Sequence, residues 1–345
     1  MPGMHKVSSH VPETCGTAFP KRGIQMLRGG AVLCYHALTS KTVPGASAVN
    51  IPLEEFQFTV ELLASLWHIV PLSEFLQRQR AGRSTKGLVS LTFDDAYASV
   101  ADLAGDWIAR KGIPICLFVT SVSSEKGSRF WWDRVEDVAD QVSGSRWERF
   151  LDSIGVPAGF RDGHRSGGRF RQVRQWILAE HRGRWPISAV SALDALEVDV
   201  ALQTAQRAMS FDELARFAAR CPVEFGVHTV SHPVLPLLSD DEMIREVAES
   251  HEVIRERLRG TVPLLAAPYG YFDARTISCA RQAGMAATFS VANRTVRNSD
   301  QDGVPRFGMA SGTPTLRMML RLSGALEPFA RFRSPESPPM PSETT

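Results

Sequence analysis

The residues of this chain whose types and spacing could do chemistry are two adjacent carboxylates, Asp94 and Asp95 in "LTFDDAY", and two histidines four apart, His228 and His232 in "HTVSH". Two imidazoles and one carboxylate supply three ligands to an ion such as Zn²⁺ and leave a position open for water, which distinguishes catalytic sites from closed structural ones. Histidines at i and i+4 aim their rings at one point if the segment forms a helical turn. Water on such an ion has its pKa brought down from about 15.7 towards about 7. The other aspartate can then sit beside that water as a general base, a role typically worth about 10²- to 10⁴-fold in rate. Two like charges side by side at the rim of a core also cost free energy unless something positive sits between them. Each half has a plainer reading, a chance His pair and an N-cap Asp with its neighbour.

The order of elements brings the two halves together. "AVLCYH" (31–36) reads as a short buried strand, followed by a loop with Pro44 and Gly45 and a helical repeat at Phe56, Val60, Leu63 and Trp67. "LVSLTF" (88–93) is a second strand, leading into a helical face over 97–108 that Gly112 stops, and "IPICLFV" (113–119) is a third. Residues 125–208 break the rhythm with polar helical stretches and Gly-rich joints, and read as an insertion. Regularity returns with a capping box at Ser210 and Glu213, the strand "VEFGVH" (223–228), and a second box at Ser239 and Glu242 heading a long helix. "PLLAAPYG" is a strand and turn, 274–283 a helix, and "AATFSV" (286–291) a further strand. Strands alternating with helices predict an α/β fold, a parallel sheet covered by helices, either open and doubly wound or closed as a barrel. Both place ligands at the C-terminal strand ends. His36, Asp94, Asp95, His228 and His232 all fall there.

Composition narrows the classes further. The chain has 345 residues, 43% of them hydrophobic, enough for a sizeable core, and a net charge of +2 that suggests neither a nucleic-acid partner nor a membrane-coating role. Cys15, Cys34, Cys116, Cys221 and Cys279 are odd in number and scattered, so neither a disulfide framework nor a cysteine metal site is indicated. Nowhere do 18 apolar residues run together, and the first 30 residues lack the apolar stretch of a secretory signal, so a cytoplasmic location is the expectation. The expected layout is an N-terminal extension (1–28), one domain (29–330) interrupted by the insertion, and a disordered Pro- and Ser-rich tail (331–345). Seven arginines between Arg161 and Arg184, against Asp162 and Glu180, read as a solvated helical face or as a clamp for an anionic substrate group.

"LTFDDAY", "HTVSH" and "AAPYGYFD" together resemble the NodB-homology polysaccharide deacetylase family of metal-dependent carbohydrate deacetylases. "CYH", "PLEEFQFTVELLASL" and "VTSVSSEKGSRFWWD" resemble one branch of it, and the similarity runs in order over about residues 31–308. The resemblance implies a distorted (β/α) barrel of about seven parallel strands, a divalent metal, usually zinc, and hydrolysis of an N-acetyl group on an amino sugar. Carried over by position, Asp94 is the base, and Asp95, His228 and His232 are the metal ligands. Pro268, Tyr269, Trp131 and Trp132 are expected at the substrate, with the Tyr269 N–H helping to hold the oxyanion. The chain departs from the pattern in three places. Ala96 stands where the family commonly has Gly, which is tolerable if the backbone there is not left-handed. Leu265, Ala266 and Ala267 stand near the place of an arginine that often orients the base. No histidine follows His251, so the late histidine that acts as general acid is missing, and His36 is its candidate replacement. The expected substrate is an N-acetylated sugar, with a phosphate or lipid carrier as one option. Hydrolysis of another acyl group, formyl or O-acetyl, and non-catalytic carbohydrate binding on the same fold are the alternatives.

Overall fold

A computed structural model describes residues 29–41, 49–161, 168–196 and 206–323. The expected N-terminal extension, Cys15, the loop at Pro44 and Gly45, His164 and the expected tail lie outside the described residues.

Seven parallel strands close into a barrel: β1 (Ala31–Tyr35), β2 (Leu88–Phe93), β3 (Ile115–Val119), β4 (Val223–Val227), β5 (Thr261–Ala266), β6 (Ala287–Val291) and β7 (Gly303–Gly308). Each pairs with the next in chain order, and β1 pairs on its other side with β7 through Leu33↔Phe307 and Cys34↔Gly308. This last ladder decides for a barrel over an open sheet.

β1, β2 and β3 are buried along their whole length, so they read as continuous apolar runs, yet their side chains still alternate between two environments. Val32, Cys116, Phe118, Leu264, Ala266, Phe289 and Val304 fill the barrel interior. Leu33, Tyr35, Leu91, Phe93, Leu117, Val119, Phe225 and Val227 face outward. There they meet Phe56, Val60 and Leu63 of helix Leu53–Leu66, Leu214 and Phe217 of helix Phe211–Ala218, and Met243, Val247 and Ile254 of helix Asp240–Arg257. Both expected capping boxes form, and Gly112, with φ 61°, ends helix Gly105–Lys111.

Strand β7 and helices Leu72–Arg80 and Thr315–Leu322 are elements that the sequence pattern does not announce. "GVPRFG" carries two glycines and a proline, which normally argue against an interior strand. Pro305 is accommodated because the ladder to β1 begins only at Phe307.

Between β3 and helix Phe211–Ala218 the described residues form helices joined by loops, with a single bridge from Ala208 back to Tyr97. Helices Trp131–Gln141, Gly144–Ile154 and Gly168–Glu180 pack around their own core of Val135, Trp147, Phe150, Leu151, Val173 and Ile177. No described helix is long and apolar enough to cross a membrane.

Candidate active site

The alternation that fills the barrel also builds the site. Cys34 and His36 follow Val32, Asp94 follows Thr92, and Arg306 follows Val304 by steps of two, so all continue the inward-facing set of their strands at the C-terminal mouth.

Asp94, only 3% exposed, is gripped by Arg306, which is fully buried. The guanidinium donates from both terminal nitrogens, at 2.6 Å to Oδ1 and 2.7 Å to Oδ2. It also donates at 3.1 Å to Thr92 Oγ1 and from Nε at 3.3 Å to the Ser290 carbonyl. Its faces lie 5.2 Å from the Phe118 ring centroid and 6.0 Å from that of Phe289. Gly226 makes room for this support, because a Cβ there would lie 2.5 Å from the Phe118 ring. Burial opposes the charge on Asp94, but Arg306 outweighs it and, with smaller help from His228 and His36, holds the carboxyl well below the usual range. The positive partner expected between the two aspartates is therefore, for Asp94, an arginine from the far strand. No arginine stands around Leu265, Ala266 and Ala267, and the guanidinium that meets Asp94 comes from Arg306 on β7 instead.

Asp95, equally buried, has no such partner. Its Oδ1 makes no hydrogen bond and faces His232 Nε2 at 3.5 Å and His228 Nε2 at 3.7 Å. Burial first, then the charges of Asp94 and Asp133, push its carboxyl well above the usual range. His228 is pushed down to about 4 by burial, and His232 well below its ordinary value by burial and by His228. The His228 Nδ1 lies 2.8 Å from the Ala266 carbonyl, which makes Nδ1 the protonated nitrogen and turns the Nε2 lone pair inward. Two neutral imidazoles with Nε2 atoms 3.1 Å apart and an uncompensated carboxylate form a set of donors within 4.8 Å of one another. The orphaned Asp95 oxygen and the inward lone pairs fit a divalent cation.

The histidines converge by a different route from the expected helical turn. Residues 228–232 form a loop with Thr229 at φ 67° and His232 at φ 58°. The His232 N–H donates to Thr229 Oγ1 at 3.0 Å, and Ser250 Oγ donates to the Thr229 carbonyl at 2.9 Å. Glu246 Oε2 accepts from the Val230 and Ser231 N–H groups, both at 2.9 Å, while Oε1 takes the Ser231 hydroxyl and Arg184 at 2.7 Å each. Ala96 lies at φ 49° and Asp95 at φ 65°. The condition under which Ala would replace Gly without cost therefore fails, and the turn after β2 holds a non-glycine residue in a strained region, the kind of outlier that clusters at functional sites.

His36 stands beside Asp94 with its Nδ1 buried and unpartnered. Burial lowers its pKa against the opposing pull of Asp94. Tyr269 sits at φ 58° in the turn Pro268–Gly270, with its ring 4.5 Å from that of His232. Trp132 packs against both His232, at 4.7 Å, and Tyr269, at 6.3 Å, and its indole N–H donates at 2.8 Å to the Tyr97 hydroxyl, which donates at 2.8 Å to Asp133. Trp131 is buried in the core of the insertion, and its indole N–H donates to the Gly183 carbonyl at 3.2 Å. Of the two tryptophans, Trp132 is the one at the mouth. The Tyr269 hydroxyl donates to the same carbonyl at 2.8 Å, and a Cβ on Gly183 would strike the Tyr269 ring at 2.7 Å.

Residues 190–288 match the family described as polysaccharide deacetylase. Similar solved structures include the Streptococcus pyogenes deacetylase PplD in complex with acetate (TM-score 0.56, 13% identity, 85% of this chain and 97% of that one). They include IcaB from Ammonifex degensii (0.51, 19%, 86% and 97%) and BC0361, a polysaccharide deacetylase from Bacillus cereus (0.51, 11%, 85% and 68%). At these identities the likeness is one of fold. Among curated protein sequences no match is found. The matched segment holds both histidines and the Pro268–Gly270 turn, and the closed seven-stranded barrel brings Asp95 against them.

Proposed function

We propose that the protein is a metal-dependent deacetylase that removes the N-acetyl group from an amino sugar in a glycan, glycolipid or sugar-nucleotide intermediate. The observation that carries this reading is the unequal pair of buried carboxylates: Asp94 neutralised by Arg306, and Asp95 left with two neutral imidazoles and an orphaned oxygen. A divalent cation held by Asp95, His228 and His232, zinc by the chemistry of this donor set, would polarise the amide carbonyl and make water there more acidic.

The chain's own groups do the rest. Asp94, kept ionised by Arg306, accepts the proton of the attacking water at a carboxylate oxygen. A donor such as the Tyr269 N–H, aimed where the carbonyl oxygen gains charge, is typically worth about 10²- to 10³-fold in rate. His36, whose ring nitrogen lies within 4.8 Å of an Asp94 oxygen, passes the proton on to the leaving amine nitrogen. Water and amide become acetate and a free amino sugar, and PplD was solved with acetate. Trp132, Tyr269 and Pro268 form the wall against which the sugar packs, and Trp131 supports that wall from behind.

The test is acetate release from a panel of N-acetylated oligosaccharides and sugar phosphates, run beside N-formyl and O-acetyl analogues. Release from the N-acetyl compounds that is lost in Asp94→Asn supports the reading. Turnover confined to formyl or O-acetyl compounds moves the function to that acyl group. Binding without any turnover would make the protein a carbohydrate-binding one, a reading that the intact Asp94 and Arg306 pair speaks against.

A further inference from the structure

The arginines of the insertion are engaged at two levels. Arg161 and Arg169 hold the insertion to itself, Arg161 through the Val156 carbonyl at 2.8 Å and Arg169 through the Ala139 and Val142 carbonyls at 2.9 and 2.6 Å. Arg182 and Arg184 instead reach across to helix Asp240–Arg257 of the barrel, at Glu242 and Glu246, with Gly183 between them.

Residues 182–184 leave helix Gly168–Glu180 by a tight reversal. The Gly183 N–H donates back to the Ile177 carbonyl at 2.9 Å and the Arg184 N–H to the His181 carbonyl at 3.0 Å. Arg182 at φ 53° and Gly183 at φ 85° both lie in the left-handed region, which for the arginine is a strained conformation. The reversal presents three consecutive residues to three parts of the site. The Arg182 carbonyl accepts at 2.7 Å from the N–H of Val234, two residues beyond His232. The Gly183 carbonyl accepts at 2.8 Å from the Tyr269 hydroxyl. The Arg184 guanidinium donates from Nε to Ser231 Oγ at 2.8 Å and from a terminal nitrogen to Glu246 Oε1 at 2.7 Å, and Glu246 in turn holds the Val230 and Ser231 N–H groups.

Strands β4 and β5 are neighbours in the barrel, so one short piece of the insertion bridges the histidine loop after the first and the Tyr269 turn after the second. Gly183 is buried in that bridge. A Cβ there would lie 2.7 Å from the Tyr269 ring and 3.2 Å from the Val234 side chain, so only a glycine lets the backbone come this close. Both bridged elements need such support, because Thr229, His232 and Tyr269 all hold left-handed backbone that persists only where the surroundings over-determine it.

We propose that residues 182–184 are a positioning strap for the reaction. They set the histidine loop and the Tyr269 turn relative to one another, so that the insertion acts on the chemistry through the placement of the metal ligands and of the oxyanion donor. The part that concerns Tyr269 rests on the deacetylase reading; the part that concerns the histidine loop needs only that the site holds a cation.

The experiment has two arms. In the first, zinc affinity of the full chain is measured by chelator competition, beside thermal melting of the zinc-loaded protein. Arg184→Gln should weaken zinc binding about tenfold, as loss of an outer partner of metal ligands typically does. Unchanged zinc affinity, with or without a lower melting temperature, would mean that the strap only docks the insertion, and overturns the proposal. The second arm uses Tyr269→Phe, which removes a single oxygen and keeps the ring beside His232. At saturating zinc, kcat for the N-acetylated compound turned over fastest should fall about 10- to 100-fold, the cost of a misplaced group, with KM within about twofold. A raised KM with unchanged kcat would make the hydroxyl part of the substrate wall and overturn the part that concerns Tyr269. In the double variant the loss of kcat should be smaller than the product of the two single losses, since both release the same strap, and losses that multiply would overturn its acting as one unit. If no compound is hydrolysed while Arg184→Gln still weakens zinc binding, the deacetylase reading falls and the hold on the histidine loop stands.

Discussion

Replacing Arg306 by Met should destabilise the protein by an amount that depends on pH. The pair is fully buried and bidentate, and removing one partner from such a pair typically costs about 3–5 kcal/mol because the other charge is left uncompensated. The folded variant has an escape, which is to protonate Asp94. Each unit by which the pH exceeds the unfolded aspartate value of about 3.9 makes that escape dearer by about 1.4 kcal/mol. The charge-related loss is thus capped at about 1.5 kcal/mol at pH 5 and about 4 kcal/mol at pH 7. The sign is fixed by the native shift. Asp94 is held below its unfolded value, so it stabilises the native protein above about pH 3.9 and loses that contribution as pH falls through its folded value. In the variant the folded value is raised, and the stability gap to the native protein opens as pH rises. Urea denaturation of both proteins at pH 5 and pH 7 measures it. Lost bonds to Thr92 and Ser290 add a part that does not vary with pH. Adding Asp94→Asn should close most of the pH-dependent part. A loss that is equal at both pH values, or absent, would refute the reasoning, since Arg306 would then be only a space-filler between Phe118 and Phe289.

Mass spectrometry of the purified protein should find about one divalent ion per chain, lost in His232→Ala and retained in Asp94→Asn, whose turnover should fall about 10²- to 10⁴-fold; loss of metal in Asp94→Asn would reverse the roles of the two aspartates. Glu246→Ala removes the acceptor for two N–H groups of the histidine loop, and metal affinity measured by chelator competition should weaken about 10- to 100-fold. Asp133 is raised to about 8 mainly by burial, so the stability it lends is complete below about pH 4 and declines as pH rises towards 8. Asp133→Asn should flatten that limb in thermal melts from pH 5 to pH 8, and an unchanged limb would mean that Asp133 does not titrate there.

Much of the barrel was legible because its signals are local. "AVLCY", "LVSLTF" and "VEFGV" are apolar runs of strand length, and Ser210 with Glu213 and Ser239 with Glu242 satisfy their own helix ends within four residues. The identities of Asp94, Asp95, His228 and His232 and their place at strand ends were legible for the same reason. β7 was not, because Gly303, Pro305 and Gly308 carry the composition of a turn and become a strand only through partners on either side. With β7 unread, the inward step from Val304 to Arg306 could not be seen, although a strand reading of "GVPRFG" would have pointed that arginine into the barrel.

The amino-acid sequence by itself determined the chemistry on offer: a doubled aspartate, a histidine pair, and the alternation of strands and helices that sends both to one rim. Only the tertiary structure decided how that chemistry is divided. Barrel closure puts residue 306 against residue 94, and burial in a shared low-dielectric interior makes their pairing strong. That commits the buried Arg306 guanidinium to Asp94 and leaves Asp95 uncompensated, turned towards the histidines. The left-handed backbone at Asp95, Ala96, Thr229 and His232 belongs to the same level, because local preference alone would not hold non-glycine residues there without surrounding structure that over-determines them.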